Sequence, residues 1–239
     1  TFTFSSLIEG GYVYVDKTAI LRELLRGAKE QYFCARPRRF GKSLTISTLQ
    51  CIFEGRRDLF KGLAIDSSDY DWKTYPVMRL DMGSCQADTV EGFWDKLKTR
   101  LEAEAARNGV DYPVGKNVSD AFSILIERFA AKSATKRMVL LLDEYDKPLL
   151  GHLGTPEVTK FKNALKEFYS VVKTQECFQR FAFMTGVSKF SKVSIFSDLN
   201  NLTDITMDAR YATLFGYTRE EVKANFPEHV AALAEAQGL

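Results

Sequence analysis

Five apolar residues in a row, Met138 to Leu142, run straight into Asp143-Glu144, and no other segment restricts the fold of this chain as strongly. A strand with one wet face alternates apolar and polar residues. A strand without that alternation has both faces covered, as in the middle of a parallel sheet. Other segments fit the same sheet. "EQYFCAR" (30–36), "YPVMRLDMG" (75–83) and "QRFAFMTG" (179–186) read as three more strands. Between them lie helical patterns over 41–55, 88–108, 117–133 and 156–174, the first carrying Leu44, Leu49, Ile52 and Phe53 at helical spacing. Strands alternating with helices predict an α/β fold, a three-layer sandwich with a mainly parallel sheet and helices on both faces. In that sheet, strand 30–36 is expected at the centre, flanked by 138–143 and 179–186.

The bulk numbers agree with a globular domain. Of 239 residues, 45% are apolar and 13% aromatic, enough to bury a core. Thirty-three basic residues against 31 acidic ones leave a net charge of +2, which argues against a protein whose main task is coating nucleic acid. No apolar run is long enough to span a bilayer. Cys34, Cys51, Cys85 and Cys177 show no C-x-x-C spacing, and neither His152 nor His229 lies near one of them. Buried, reduced thiols in the cytoplasm are therefore expected rather than a metal centre. The chain begins with Thr and has no signal-like leader, as expected of a trimmed piece of a longer protein.

In an open parallel sheet, ligands bind beyond the carboxyl ends of the strands. Three features fall there. Phe40-Gly41-Lys42-Ser43 stands between a strand and a helix, where free backbone amides and the helix dipole favour a phosphate. Gly41 permits close backbone approach. Lys42, read as a solvent-facing charge, reaches the terminal phosphates, and Ser43 ligates magnesium. The usual pattern G-x-x-x-x-G-K-[ST] would put glycine where Arg36 stands. Second, Asp143-Glu144 at a strand tip suits a hard cation and a polarised water; the alternative is a solvated acid pair ending a buried strand. Third, Thr185, Ser188 and Lys189 follow the last strand, as phosphate sensors or as a plain polar turn.

Taken together, "YVDKT" (14–18), "RPRRFGKSL" (36–44), "LLLDEYDKPL" (140–149), "TGVSKFSKVSIFSDLNNLTDIT" (185–206) and "YATLFGYTREEV" (211–222) resemble the AAA-ATPase-like bacterial proteins, distant relatives of the signal-transducing P-loop ATPases. The resemblance spans nearly the whole chain. It implies that Arg36 is the family's form of the loop. It also implies ATP and magnesium as ligands, with Lys42 and Ser43 as phosphate and magnesium residues; the whole candidate nucleotide site is Arg38, Arg39, Phe40, Gly41, Lys42, Ser43, Leu44 and Ser188. Ser43 and Asp143 are the implied metal ligands, and Asp143 and Glu144 the implied catalytic acids. Many members continue into a nuclease-like domain of the PD-(D/E)xK type. No such acid-acid-Lys core is present here, and no nuclease activity is expected of these residues.

Residues 1–206 are expected to form the ATPase core, and 207–239 the start of a helical lid opening on the capping-box pair Thr218 and Glu221. Asp16 and Thr18 either cap a helix or lie over an adenine. Asp81 either joins the magnesium shell or caps its strand. Arg210 is a solvated arginine or a phosphate contact from the lid or a neighbouring subunit. Leu97 and Leu101 are core. The leading function is ATP hydrolysis that regulates an attached or partner domain, with a homo-oligomer among the expected assemblies and no membrane partner. Its alternatives are a nucleotide-binding switch with negligible turnover and a helper ATPase for DNA processing.

Overall fold

The computed structural model describes residues 3–27, 30–188 and 202–237. Its sheet contains β1 (Glu30–Ala35), β2 (Val77–Asp81), β3 (Met138–Asp143), β4 (Gln179–Gly186) and β5 (Thr203–Asp204), in the order β2-β3-β4-β1-β5. Every pairing is parallel. Strand β1 therefore lies between β4 and β5. It is not flanked by 138–143, which sits on the far side of β4. The central place goes to β4, whose residues Phe181 to Gly186 are all buried, and β3 beside it is buried throughout. Among the described residues, the outer neighbour of β1 is the two-residue β5.

The period of two in β3 divides its side chains between two cores. Met138, Leu140 and Leu142 join Leu97, Leu101, Phe122, Phe129, Phe161 and Phe168, carried by α4 (Val90–Arg107), α5 (Val118–Ala131) and α7 (Val158–Thr174). Val139 and Leu141 join Phe4, Leu21, Ile46, Leu49, Ile52 and Phe53, carried by α1 (Phe4–Glu9), α2 (Thr18–Leu24) and α3 (Lys42–Phe53). Helices thus cover both faces and make three layers. Leu97 and Leu101 are core, as the sequence implies.

Local chemistry fixes the helix starts. The Thr89 side chain accepts the Gly92 N–H at the head of α4, and Asn117 accepts the Asp120 N–H at the head of α5. Beyond β3 a short helix α6 (Lys147–Leu150) turns the chain. Helices α8 (Arg219–Asn225) and α9 (Pro227–Ala236) follow the sheet, and neither contains a buried residue. Thr218 and Glu221 form the expected reciprocal capping box on α8. None of the described helices is long and apolar enough to cross a membrane. Cys34, Cys51 and Cys85 are buried and Cys177 is exposed, all as free thiols.

Candidate nucleotide-binding site

The β1–α3 loop is built on left-handed backbone. Arg39 has φ 63° and Gly41, at the N-cap of α3, has φ 87°. Glycine takes that conformation without strain, and a Cβ at Gly41 would meet nothing within 4 Å. Here the glycine is needed for its φ, not for space. The first amides of α3, at Lys42, Ser43 and Leu44, have no acceptor inside the helix and lie at its positive end. The loop is tied down at both sides. Arg36 N–H donates to the Gly186 carbonyl at 3.0 Å, and Gly216 N–H donates to the Phe40 carbonyl at 3.0 Å.

Lys42 does not stand free in water. It is buried, and its Nζ donates to the carbonyls of Arg36 at 3.0 Å and Pro37 at 2.9 Å, curling the side chain back under its own loop. The expectation of a solvent-facing charge is thereby corrected: the loop closes around the amine because its carbonyls need a donor. Burial pushes the Lys42 pKa below the usual lysine value, while Asp143, Glu144 and Asp146 oppose that shift. Loop lysine and strand-tip acids therefore share one field at the carboxyl edge of the sheet.

Asp143 is buried at the end of β3. Its Oδ1 accepts from Thr185 Oγ1 at 2.6 Å and from Glu144 N–H at 2.9 Å. Both bonds fall on Oδ1, and Oδ2 accepts none among the described residues. Glu144 has φ 51°, a left-handed conformation costly for a non-glycine residue and of the kind found at functional sites. Its carboxylate lies 3.8 Å from Lys147 Nζ and against Gly83, where a Cβ would stand 2.3 Å from Glu144 Oε2. Asp81 sits beside Asp143 in the sheet register, but its Oδ1 accepts from Gly83 N–H at 2.9 Å, a capping role.

A cavity of about 660 Å³ adjoins the loop. Tyr14, Val15 and Lys17 line it on one side, Phe40, Leu44 and Thr48 on another, and Leu214 to Thr218 with Val222 on a third. Asp16 and Thr18 are occupied elsewhere. The Asp16 carboxylate accepts from the N–H and hydroxyl of Thr18 and from Ala64 N–H, and Thr18 Oγ1 accepts from Ile65 N–H. Segment 14–17 nevertheless faces the cavity. Buried Lys17 pairs with Glu221 at 2.5 Å, joining this segment to the start of α8.

The remaining candidates divide. Arg38 is exposed, Arg39 lines the cavity, and Ser43 and Leu44 are half-buried in the first turn of α3. The Ser188 backbone lies beside β3: its N–H donates to Asp146 Oδ2 at 2.8 Å and its carbonyl accepts from Tyr145 Oη at 2.7 Å. Lys189 lies outside the described residues. Arg210 is exposed and paired with Asp208, so the structure does not bring it to the site. Sequence reading passed over Tyr145 and Asp146, although both stand within the quoted "LLLDEYDKPL"; an acid three residues past Asp143 was the available signal.

A parallel sheet whose β1–α3 loop ends in Gly-Lys-Ser, opposite a buried strand ending in Asp-Glu, defines a nucleotide-binding P-loop domain. The model of the predicted AAA-ATPase family matches residues 1–196, and the chain belongs to that family. It is 40% identical over 234 residues to "Uncharacterized protein in vnfD 5'region" of Azotobacter chroococcum mcd 1. That match covers 97% of this chain and 45% of the relative, so the chain spans less than half of the relative's length. Among solved structures, a chain of the Drosophila ORC bound to DNA aligns with 85% of this chain and 93% of its own length, at 10% identity and a TM-score of 0.35.

Proposed function

We propose that this domain binds and hydrolyses ATP. The observation that carries the reading is that parallel pairing puts the loop bearing Lys42 and the strand tip Asp143-Glu144 at the same edge of the sheet, with a cavity of about 660 Å³, roomy enough for a nucleoside, against the loop. The amides of Lys42, Ser43 and Leu44 hold the phosphates, with Arg38 and Arg39 adding positive charge nearby. Ser43 Oγ and Asp143 Oδ2 are hard oxygen donors of the kind magnesium takes; they would hold the ion, which would neutralise phosphate charge. The base enters the cavity between segment 14–17 and residues 214–218, against Tyr14, Phe40 and Leu44.

Phosphoryl transfer to water is mostly positioning and charge stabilisation, so a residue must orient the water. We assign that task to Glu144, which directly follows Asp143 at the tip of β3. Its contact with Lys147 must loosen for the carboxylate to face the phosphates. Residues 207–239, with α8 and α9, act as the start of a lid whose position follows the nucleotide and is passed to an attached or partner domain; the Lys17–Glu221 pair supports that link.

The test is Glu144→Gln, which keeps the shape and removes the charge. It retains ATP binding and loses at least roughly a hundredfold in single-turnover hydrolysis. An active parent chain with an equally fast Glu144→Gln variant removes Glu144 from the reaction. A parent chain that binds ATP but never turns it over favours a nucleotide-dependent switch.

A further inference from the structure

Asp146 is buried at the start of α6, three residues past Asp143, and the phosphate chemistry proposed above gives it no task. Its Oδ2 accepts two backbone N–H groups from the exit of β4, Val187 at 2.9 Å and Ser188 at 2.8 Å. Its Oδ1 is buried without a hydrogen-bond partner among the described residues. A carboxylate in that position costs desolvation energy that a small apolar residue would not. Its neighbour works on the same turn. Tyr145 Oη donates to the Ser188 carbonyl at 2.7 Å, and Tyr145 N–H donates to the Thr185 carbonyl at 2.9 Å. Gly186 makes the fit possible: a Cβ there would lie 2.4 Å from the Tyr145 ring and 2.9 Å from Asp146 Oδ1.

These bonds join three parts of the site. The Thr185 hydroxyl donates to Asp143, the Gly186 carbonyl accepts from the Arg36 N–H of the phosphate loop, and Val187-Ser188 hang from Tyr145 and Asp146. We infer that Tyr145 and Asp146 are positioning residues, which hold the Val187–Ser188 turn in register with the phosphate loop and Asp143 so that it can contact the terminal phosphate. The inference rests on the ATP-hydrolysing reading of the same site. Two backbone amides fixed by one carboxylate give a turn with little freedom, which is what a contact needed only in the transition state requires.

The experiment measures ATP affinity, single-turnover hydrolysis and amide exchange at residues 187 and 188 in the parent chain, Asp146→Ala, Asp146→Asn and Tyr145→Phe. Asp146→Ala is expected to bind ATP within about threefold of the parent, to lose about tenfold to a hundredfold in hydrolysis, and to exchange both amides faster. Asp146→Asn keeps an oxygen that can accept both N–H groups and recovers most of the rate. Tyr145→Phe removes one bond and loses about two- to tenfold. If Asp146→Ala does not fold, Tyr145→Phe and Asp146→Asn decide. Parent-like hydrolysis in folded Asp146→Ala or in Tyr145→Phe, or an Asp146→Asn loss as large as that of Asp146→Ala, overturns the positioning role alone. A parent that neither binds nor hydrolyses ATP overturns the nucleotide reading, and this role with it.

Discussion

The Glu144 carboxylate rests where Gly83 leaves room for it, and that small vacancy makes a prediction about a residue with no chemistry of its own. In Gly83→Ala the new methyl would meet Glu144 Oε2 at 2.3 Å and Asp81 Oδ1 at 3.0 Å. Both are ends of side chains, so they can move and the chain still folds. We expect this variant to keep ATP affinity within about threefold and to change the single-turnover rate by about tenfold, since small misplacements near a reacting atom cost that much or more. An unchanged rate would mean that the resting place of Glu144 is irrelevant to turnover. Residues of this kind explain what the sequence hid. Lys42, Asp143 and Glu144 announce themselves by type and by their places at element ends. Gly83, Tyr145 and Asp146 matter through contacts made only after β3 and β4 pair. The burial of Lys42 was equally illegible, because its acceptors are backbone carbonyls that belong to no residue type.

Among the elements, α8 depends on a few polar contacts, because none of its residues is buried. Glu221 serves it twice, accepting from Thr218 N–H at 2.8 Å and pairing with Lys17. Hydrogen bonding to Lys17 and Thr218 outweighs desolvation and lowers the Glu221 pKa. Glu221→Ala removes half of the capping box and leaves buried Lys17 without this carboxylate. Loss of one such hydrogen bond costs about 1 kcal/mol. We therefore predict faster amide exchange across residues 219–225 with the sheet unaffected; exchange unchanged in α8 would deny that Glu221 holds this helix. This capping box was readable because its spacing is local. So were the four longer strands and the long helices, whose periodicity lies within each segment. The order of strands was not. It depends on which strand is covered on both faces, and β4 took the centre through Phe181 to Met184 packing against helices distant in sequence. Strand β5, two exposed residues long, carries no pattern at all.

At the scale of the whole molecule, buried thiols tie stability to alkaline pH. Burial raises Cys34 and Cys51 each to about 11, and raises Cys85 as well. An unfolded chain loses these protons near about pH 8.5. Below that value both states are protonated and the contribution is complete. Above it the unfolded state gains by ionising while the native state does not, so stability falls from about pH 8.5 until the native thiols ionise near about 11. Buried Lys42 has the opposite sign, since its native pKa is lowered. Denaturant midpoints of the parent should drop across this window, and those of Cys34→Ala with Cys51→Ala should drop less; parallel curves would contradict the assignment. The central claim is that this molecule takes ATP at the β1–α3 loop, and calorimetry with magnesium present tests it most directly. Because Lys42 also closes its loop through two carbonyls, the thermal unfolding of Lys42→Ala is checked first. The parent should bind ATP, and the folded Lys42→Ala should bind at least roughly tenfold more weakly, as expected for losing charge-assisted bonds to phosphate. Equal affinity in two folded proteins would contradict it.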